Sequence, residues 1–241
     1  MAEIKVTETT VETNDTVQTA KGFWDRFSKP IIYVGSAIIV LIGAWYGYKQ
    51  FIVEPKEREA NELVFPAENL FDKMASTGFN KDSVNIVING GVVEGQKITG
   101  VLKVINNFGG TAAGDRAKYM AGAGYLHIKE FDKAVKYLKE FDGNGATQIQ
   151  SKAYLLLGHA YAEQKKTSDA LAAYKKAAGV NEKDEFFAGD ALLIAAAYAK
   201  ETGNSKEAVS LYEQVKEKYP SNIAVQNGDV DKNLASLGVI K

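Results

Sequence analysis

The stretch YMAGAGYLHIKEFDKAVKYLKEF, residues 119–141, has two counterparts further along this chain. They are LLLGHAYAEQKKTSDALAAYKKAA, residues 155–178, and LLIAAAYAKETGNSKEAVSLYEQV, residues 192–215. The aligned tyrosines, spaced 36 and 37 residues apart, are Tyr125, Tyr161 and Tyr198. The aligned alanines, spaced 36 and 38 residues apart, are Ala134, Ala170 and Ala208. Such self-similarity predicts stacked units, each of which needs its neighbours to bury its apolar face.

A period close to 34 residues with this pattern is typical of tetratricopeptide repeats (TPRs), in which each unit is a pair of helices. Gly122, Gly158 and Ala195 are small where the two helices of a unit should cross closely. Pro220 should end the last unit, because proline cannot extend a helix. We therefore predict three TPR-like repeats over residues 111–220. A C-terminal capping helix should follow within residues 221–241.

Residues 54–110 precede the repeats and read as a long helix plus a degenerate first repeat with an insertion. Pro66 should kink or break the long helix. A second helix is expected over Lys97–Phe108. Between the two, SVNIVINGGVVEG has β-branched residues around Asn89-Gly90, a dipeptide typical of tight hairpin turns. The insertion is therefore predicted to be a small hairpin or an extended loop.

The run IIYVGSAIIVLIGAWYGY, residues 31–48, contains no charged residue. As a helix it would be about 27 Å long, close to the thickness of a bilayer's hydrocarbon core. We predict a transmembrane helix over residues 31–53, with Pro30 at its first helical position. A cleaved signal peptide and a buried core helix are the alternatives. The first fits poorly because the run ends in aromatic residues, and the second because the run has no polar face.

Residues 1–30 are predicted to be a disordered tail that ends in a segment lying on the membrane surface. Within the apolar run, Gly35, Gly43 and Gly47 could let another membrane helix approach closely. The alternative is that glycine is simply common in membrane helices. Basic residues are balanced on the two sides of the run, so charge alone leaves the topology open. The predicted fold class is thus all-α: one N-terminal transmembrane helix, then a TPR-like helical solenoid with a small hairpin or loop insertion.

Composition argues against catalysis and nucleic-acid binding. The 241 residues carry a net charge of −1 and no cysteine, which excludes disulfides and thiol chemistry. The two histidines, His127 and His159, cannot close a metal site by themselves. Residues 90–97 resemble a phosphate-binding loop only faintly, with the lysine displaced and no hydroxyl residue after it. We predict no catalytic residue, metal, cofactor, small-molecule substrate or nucleic acid, and we expect protein partners.

TPR solenoids bind segments of other proteins along the groove lined by the first helix of each unit. The first-helix positions that should face this groove are Tyr119, Leu126, His127, Leu155, His159, Glu163, Leu192 and Lys200. They mix aromatic, aliphatic and polar groups, so we expect apolar or helix-in-groove contacts. The alternative for Leu155 and Leu192 is that they belong to the core between helices, as apolar helix positions usually do.

Four stretches of this chain resemble the ancillary Sec-translocon subunit (YfgM-like) family, in its Bacteroidota-type form. They are the anchor KPIIYVGSAIIVLIGAWYGYKQF, the insert NIVINGG, and the segments VINNFGGTAAG and YMAGAGYLHIKEFDKAVKYLKEFDG. The resemblance covers about residues 28–220. It implies an inner-membrane protein with a cytoplasmic N-terminus and a periplasmic TPR domain. It also implies two partners, a SecYEG-type channel and a membrane-anchored periplasmic chaperone. A scaffold for another envelope complex (cell division, outer-membrane assembly or secretion) stays open, and no residue motivates an accessory hydrolase.

Overall fold

A computed structural model describes residues 12–239, with side-chain surroundings from residue 18 onward. The chain forms two compact units that meet in sequence between Pro55 and Lys56. The elements of the first unit and the start of the second are α1 (Glu12–Tyr48), a π-helical turn (Lys49–Val53) and α2 (Glu54–Thr77). The next elements are α3 (Lys81–Asn89), β1 (Gly90–Val93), β2 (Gln96–Thr99) and α4 (Val101–Phe108). The remaining helices are α5 (Ala112–His127), α6 (Phe131–Glu140), α7 (Thr147–Glu163), α8 (Thr167–Gly179), α9 (Glu185–Glu201), α10 (Ser205–Lys218), α11 (Ile223–Gln226) and α12 (Asp229–Ser236).

Helix α1 holds the charge-free run, and its large apolar side chains face outward. Val40 and Leu41 are each 68% exposed, although neither has a polar group to offer water. Within the described residues, this is the helix that is long and apolar enough to cross a membrane, and its apolar window has no buried share. A core helix would bury most of that window, so the buried-helix alternative does not fit.

The N-terminal boundary of this helix differs from the prediction. The predicted disordered tail lies outside the described residues up to residue 11, but residues 12–30 are helical as part of α1. Pro30 consequently stands inside the helix rather than at its first position. A proline there removes one backbone hydrogen bond, and the helix formers on either side, such as Ala20 and Ala37, can carry the helix through it.

Helix α2 belongs to the core of the second unit through one face. Its buried residues recur at helical spacing and are Ala60, Val64, Ala67, Phe71 and Met74. Phe65, on the other face of the helix, is 59% exposed. The helix continues through Pro66, so the predicted break is absent. Val64 and Ala67 are fully buried on both sides of the proline, and their packing holds the helix together across the missing hydrogen bond.

The predicted hairpin is present, but its turn lies elsewhere. Strands β1 and β2 pair antiparallel, with Val93 opposite Gln96, and the turn is Glu94-Gly95. Both turn residues have positive φ angles, 51° and 79°, as a type I′ turn requires. The Asn89-Gly90 dipeptide instead ends α3, because Val84, Val87 and Ile88 recur at helical spacing and are buried. Strand β2 likewise takes the first residues of the helix predicted over 97–108.

The three predicted repeats are three helix pairs: α5 with α6, α7 with α8, and α9 with α10. Each helix packs against the next along the chain. The predicted close crossings are confirmed, since a Cβ atom on Gly122 would lie 2.5 Å from Cγ of Leu138. The aligned second-helix alanines are all fully buried: Ala134, Ala170 and Ala208. Small residues at these points bring the two helices of each pair together, which is the build expected of TPR units.

The C-terminal end of the last pair is covered by a short helix. Helix α10 ends before Pro220, and α12 packs against α10 through Val230 and Leu234, which are 1% and 5% exposed. Helix α12 lies within residues 221–241, where the sequence predicts a capping helix. It shields the apolar surface that a terminal repeat would otherwise leave in water.

Candidate functional site

The eight predicted groove residues do not share one open surface. On α5, two of them contact aromatic residues that precede the repeats, although His127 stays exposed. The Phe71 ring lies 6.3 Å from the Tyr119 ring in an edge contact. The Phe79 ring stacks on His127 at 3.7 Å between ring centres, with an 11° angle between planes. The groove face of the first pair is therefore partly filled by this chain itself.

Four further predicted groove residues, on α5, α7 and α9, contact other parts of the same chain. Leu192 is 5% exposed and lies in the core between helices, which is the alternative to a groove position given above. Leu126 and Leu155 are half-buried beside the core. Lys200 donates hydrogen bonds to Asn233 Oδ1 at 2.9 Å and Ser236 Oγ at 2.7 Å, both on α12. Its ammonium group is thereby tied to the capping helix.

His159 and Glu163 remain accessible in the middle of the array, on α7. His159 has one side in solvent, while its ring packs on Tyr174 with Nδ1 3.0 Å from the phenol oxygen. Burial against that ring lowers the pKa of His159, and the Glu163 carboxylate opposes the shift. Burial also raises the pKa of Tyr174, with smaller contributions from Tyr198 and from carboxylates. At neutral pH this patch therefore presents a neutral imidazole beside a carboxylate.

The two histidines make different contacts. His127 stacks on Phe79, whereas His159 bonds Tyr174. Across residues 12–239, no three His, Cys, Asp or Glu side chains converge as metal ligands would.

Helix α2 is fixed to the N-terminus of α5 by polar contacts. The Glu57 carboxylate accepts hydrogen bonds from the backbone N–H groups of Ala112 and Ala113, at 2.9 and 3.0 Å. Arg116 donates to Glu68 Oε1 and Asn61 Oδ1, each at 2.6 Å. A carboxylate at a helix N-terminus satisfies free N–H groups and complements the helix dipole. These contacts hold the covering aromatic residues in place.

A pocket of about 460 Å³ lies between α2, α5 and residues 141–149, and it was not predicted from the sequence. Its aromatic wall is formed by Phe71, Tyr119 and Phe141, and carboxylates stand around it. Of these residues, the sequence had singled out only Tyr119 as a binding residue. The pocket depends on α2 lying against α5, a pairing between distant parts of the chain that the repeat pattern does not encode.

The glycines of α1 have open surroundings. A Cβ atom placed on Gly35, Gly43 or Gly47 would meet no atom within 4 Å. These glycines therefore leave a flat strip along the helix, and their predicted role in packing against another helix stays a prediction.

Comparison with known proteins supports the repeat assignment. A family model described as tetratricopeptide repeat matches residues 190–222, which span most of the third helix pair. No curated protein is a significant match. A solved structure titled "MamA RS-1 ArsTM double mutant" is 17% identical, with a TM-score of 0.47, and the alignment covers 84% of this chain and 96% of that one. The matched repeat and the three helix pairs together identify this chain as a protein with a TPR-like helical fold.

Proposed function

We propose that this chain is a membrane-anchored scaffold that binds protein partners and serves as an accessory subunit of a Sec-type translocon. The observation that carries the proposal is the union of two features in one chain. Residues 31–48 form a charge-free helical run with exposed apolar side chains, and the second unit is built of TPR-like pairs. TPR units are interaction modules, so an anchored array of them would keep a partner near the membrane.

The finer assignment rests on the family resemblance of the anchor and the insert. By that resemblance the N-terminus is cytoplasmic and the TPR-like unit is periplasmic, in a bacterial inner membrane. The partners are a SecYEG-type channel and a membrane-anchored periplasmic chaperone. The glycine strip of α1 is the surface that would dock against a channel helix, since small residues let helix backbones approach.

The partner assignment is tested by crosslinking in native membranes, affinity capture of the full chain and mass spectrometry. The variant Gly43→Leu/Gly47→Leu fills the glycine strip, and Ala37→Leu, about 120° from Gly43 and about 80° from Gly47 around the helix, is its control. We expect channel subunits with the natural chain and with the control, and fewer with the double variant. Recovery of another envelope complex without Sec components would overturn the translocon assignment.

The orientation is tested by thiol labelling, because the chain contains no cysteine and each introduced one is a unique reporter. Ser168→Cys places a thiol on an exposed position of α8, and Thr9→Cys places one before the membrane run. A membrane-impermeant maleimide added to spheroplasts should label the first variant and not the second. The reverse labelling pattern would contradict the proposed topology.

A further inference from the structure

The pocket between α2, α5 and residues 141–149, here called the α2–α5 pocket, has an apolar interior. The Tyr119 ring lies between those of Phe71 and Phe141, at 6.3 and 5.6 Å. Met120 adds a buried apolar side chain to the lining, and Ile149, 39% exposed, stands at the opening. A volume of about 460 Å³ falls in the range of concave sites that bury a ligand. The interior therefore suits an apolar group.

The rim of the pocket is acidic. Its charged lining consists of four carboxylates and one guanidinium: Glu68, Asp72, Asp115, Asp142 and Arg116. Two of the carboxylates are neutralised inside the chain. Glu68 pairs with Arg116 at 2.6 Å, and Asp115 pairs with Lys118 at 2.7 Å.

Asp72 and Asp142 are left without a cation. Both are exposed, and neither forms an ion pair with any residue in the described part of the chain. The Asp142 carboxylate accepts the backbone N–H of Asn144 at 2.8 Å, and the Asp142 backbone carbonyl accepts from Asn144 Nδ2 at 3.3 Å. Both bonds shape its own loop. One free carboxylate stands on α2 and the other on the loop before α7, so the two flank the opening from different elements. A ligand with a positive charge on either side of an apolar group would meet both.

We propose that the α2–α5 pocket binds a protein segment that inserts a leucine-like or aromatic side chain, with Lys or Arg on both sides of it. The apolar side chain fills the aromatic interior, and the flanking cations meet Asp72 and Asp142. This inference rests on the proposed scaffold function and specifies the chemistry of a partner. An acidic segment would be repelled by the carboxylates at the rim. A polar segment would bury no apolar surface against the aromatic wall.

The experiment uses the full chain in nanodiscs of zwitterionic lipid and a fluorescein-labelled peptide with a central leucine between two lysines. Two matched peptides replace the leucine by serine, or the lysines by glutamate. Fluorescence anisotropy should show the Lys–Leu–Lys peptide binding most tightly, with affinity that falls as salt rises from about 50 to 300 mM. Equal binding of the three peptides would overturn the proposal.

Variants locate the binding. Asp72→Asn/Asp142→Asn removes both free charges and keeps an acceptor for the Asn144 bond, so the fold is spared. We expect about fivefold weaker binding, as for two exposed ion pairs. Its control, Asp169→Asn/Glu213→Gln, removes two exposed charges elsewhere and should bind unchanged. Ile149→Ser should also weaken binding, whereas Ile223→Ser, at a position 76% exposed, should not.

The pocket and the translocon assignment fail in different ways. If the pocket variants bind the peptide as the controls do, the pocket proposal is wrong even when membrane crosslinking still captures channel subunits. If crosslinking captures none but the peptide binding depends on Asp72 and Asp142, the translocon assignment fails and the pocket stands.

Discussion

The crossing of α7 and α8 is tight enough for a single methyl group to destabilise the fold. A Cβ atom on Gly158 would lie 2.3 Å from Cε1 and 2.4 Å from Cδ1 of the Tyr174 ring. Carbon atoms pack at about 3.5–4.0 Å, so the ring would have to recede by roughly 1 Å. It is held by the hydrogen bond to His159 and by an edge contact with Tyr198 at 5.4 Å.

Gly158→Ala should therefore lower stability although alanine is the better helix former. Alanine gains about 1 kcal/mol over glycine inside a helix. Overpacking costs about 1–3 kcal/mol, and a ring that is 2% exposed and held on two sides places the cost in the upper part of that range. The expected net loss in the free energy of unfolding is about 1–2 kcal/mol. Gly179→Ala, at the exposed end of α8 with no atom within 4 Å, is the control and should gain about 0.5 kcal/mol.

Urea unfolding of the full chain in detergent micelles, followed by far-ultraviolet circular dichroism, measures these differences. Tyr174→Ala completes a double-mutant cycle, because the three atoms nearest to the added Cβ all belong to that ring. In the Tyr174→Ala background, Gly158→Ala should become stabilising. The reasoning is refuted if Gly158→Ala stabilises the natural chain as Gly179→Ala does, or if its cost persists unchanged without the ring.

Three further predictions concern the contacts that surround the first and second pairs. Glu57→Ala removes the carboxylate that accepts from Ala112 and Ala113 and should cost about 1–2 kcal/mol, whereas exposed Glu59→Ala should cost under about 0.5 kcal/mol in the same urea assay. Phe71→Ala should cost about 3–5 kcal/mol because the ring is 9% exposed, and a thermal melt should show Phe65→Ala, in the same helix and 59% exposed, to be nearly neutral. Burial lowers the pKa of both histidines, so the unfolded chain binds protons more readily and stability should fall as pH drops below about 6.5. Unfolding midpoints between about pH 7 and pH 5 should show a flatter profile when both histidines are replaced by glutamine, and an unchanged profile would contradict this cause.

The repeat pairs could be predicted because their determinants are local and recur. Gly158 and Ala170 stand at fixed distances within one unit, and the same pattern appears in the units before and after it. The repeat period of the sequence therefore predicts where the two helices of each unit cross. The long apolar helix in α1 could also be predicted, because length and composition alone indicate a helix that is able to span a membrane.

The covering of α5 could not be predicted, because it joins residues far apart in sequence. Glu57 reaches Ala112 across 55 positions, and no repeat or motif indicates that pairing. The hairpin turn was placed wrongly for a related reason. Asn89-Gly90 has the composition of a tight turn, but burial of Ile88 and its helical neighbours outweighs that local preference.

Helix α2 lies on the first repeat and α12 on the last, and both are fastened by polar contacts as well as by packing. Glu57 holds the start of α5, and Lys200 joins α9 to α12 through Asn233 and Ser236. Repeat arrays lengthen when the terminal face of one copy stacks on that of the next. Here α5 is already covered by α2, α3 and α4, and α10 by α12. A second copy could stack directly on α5 or α10 only if these covering helices moved.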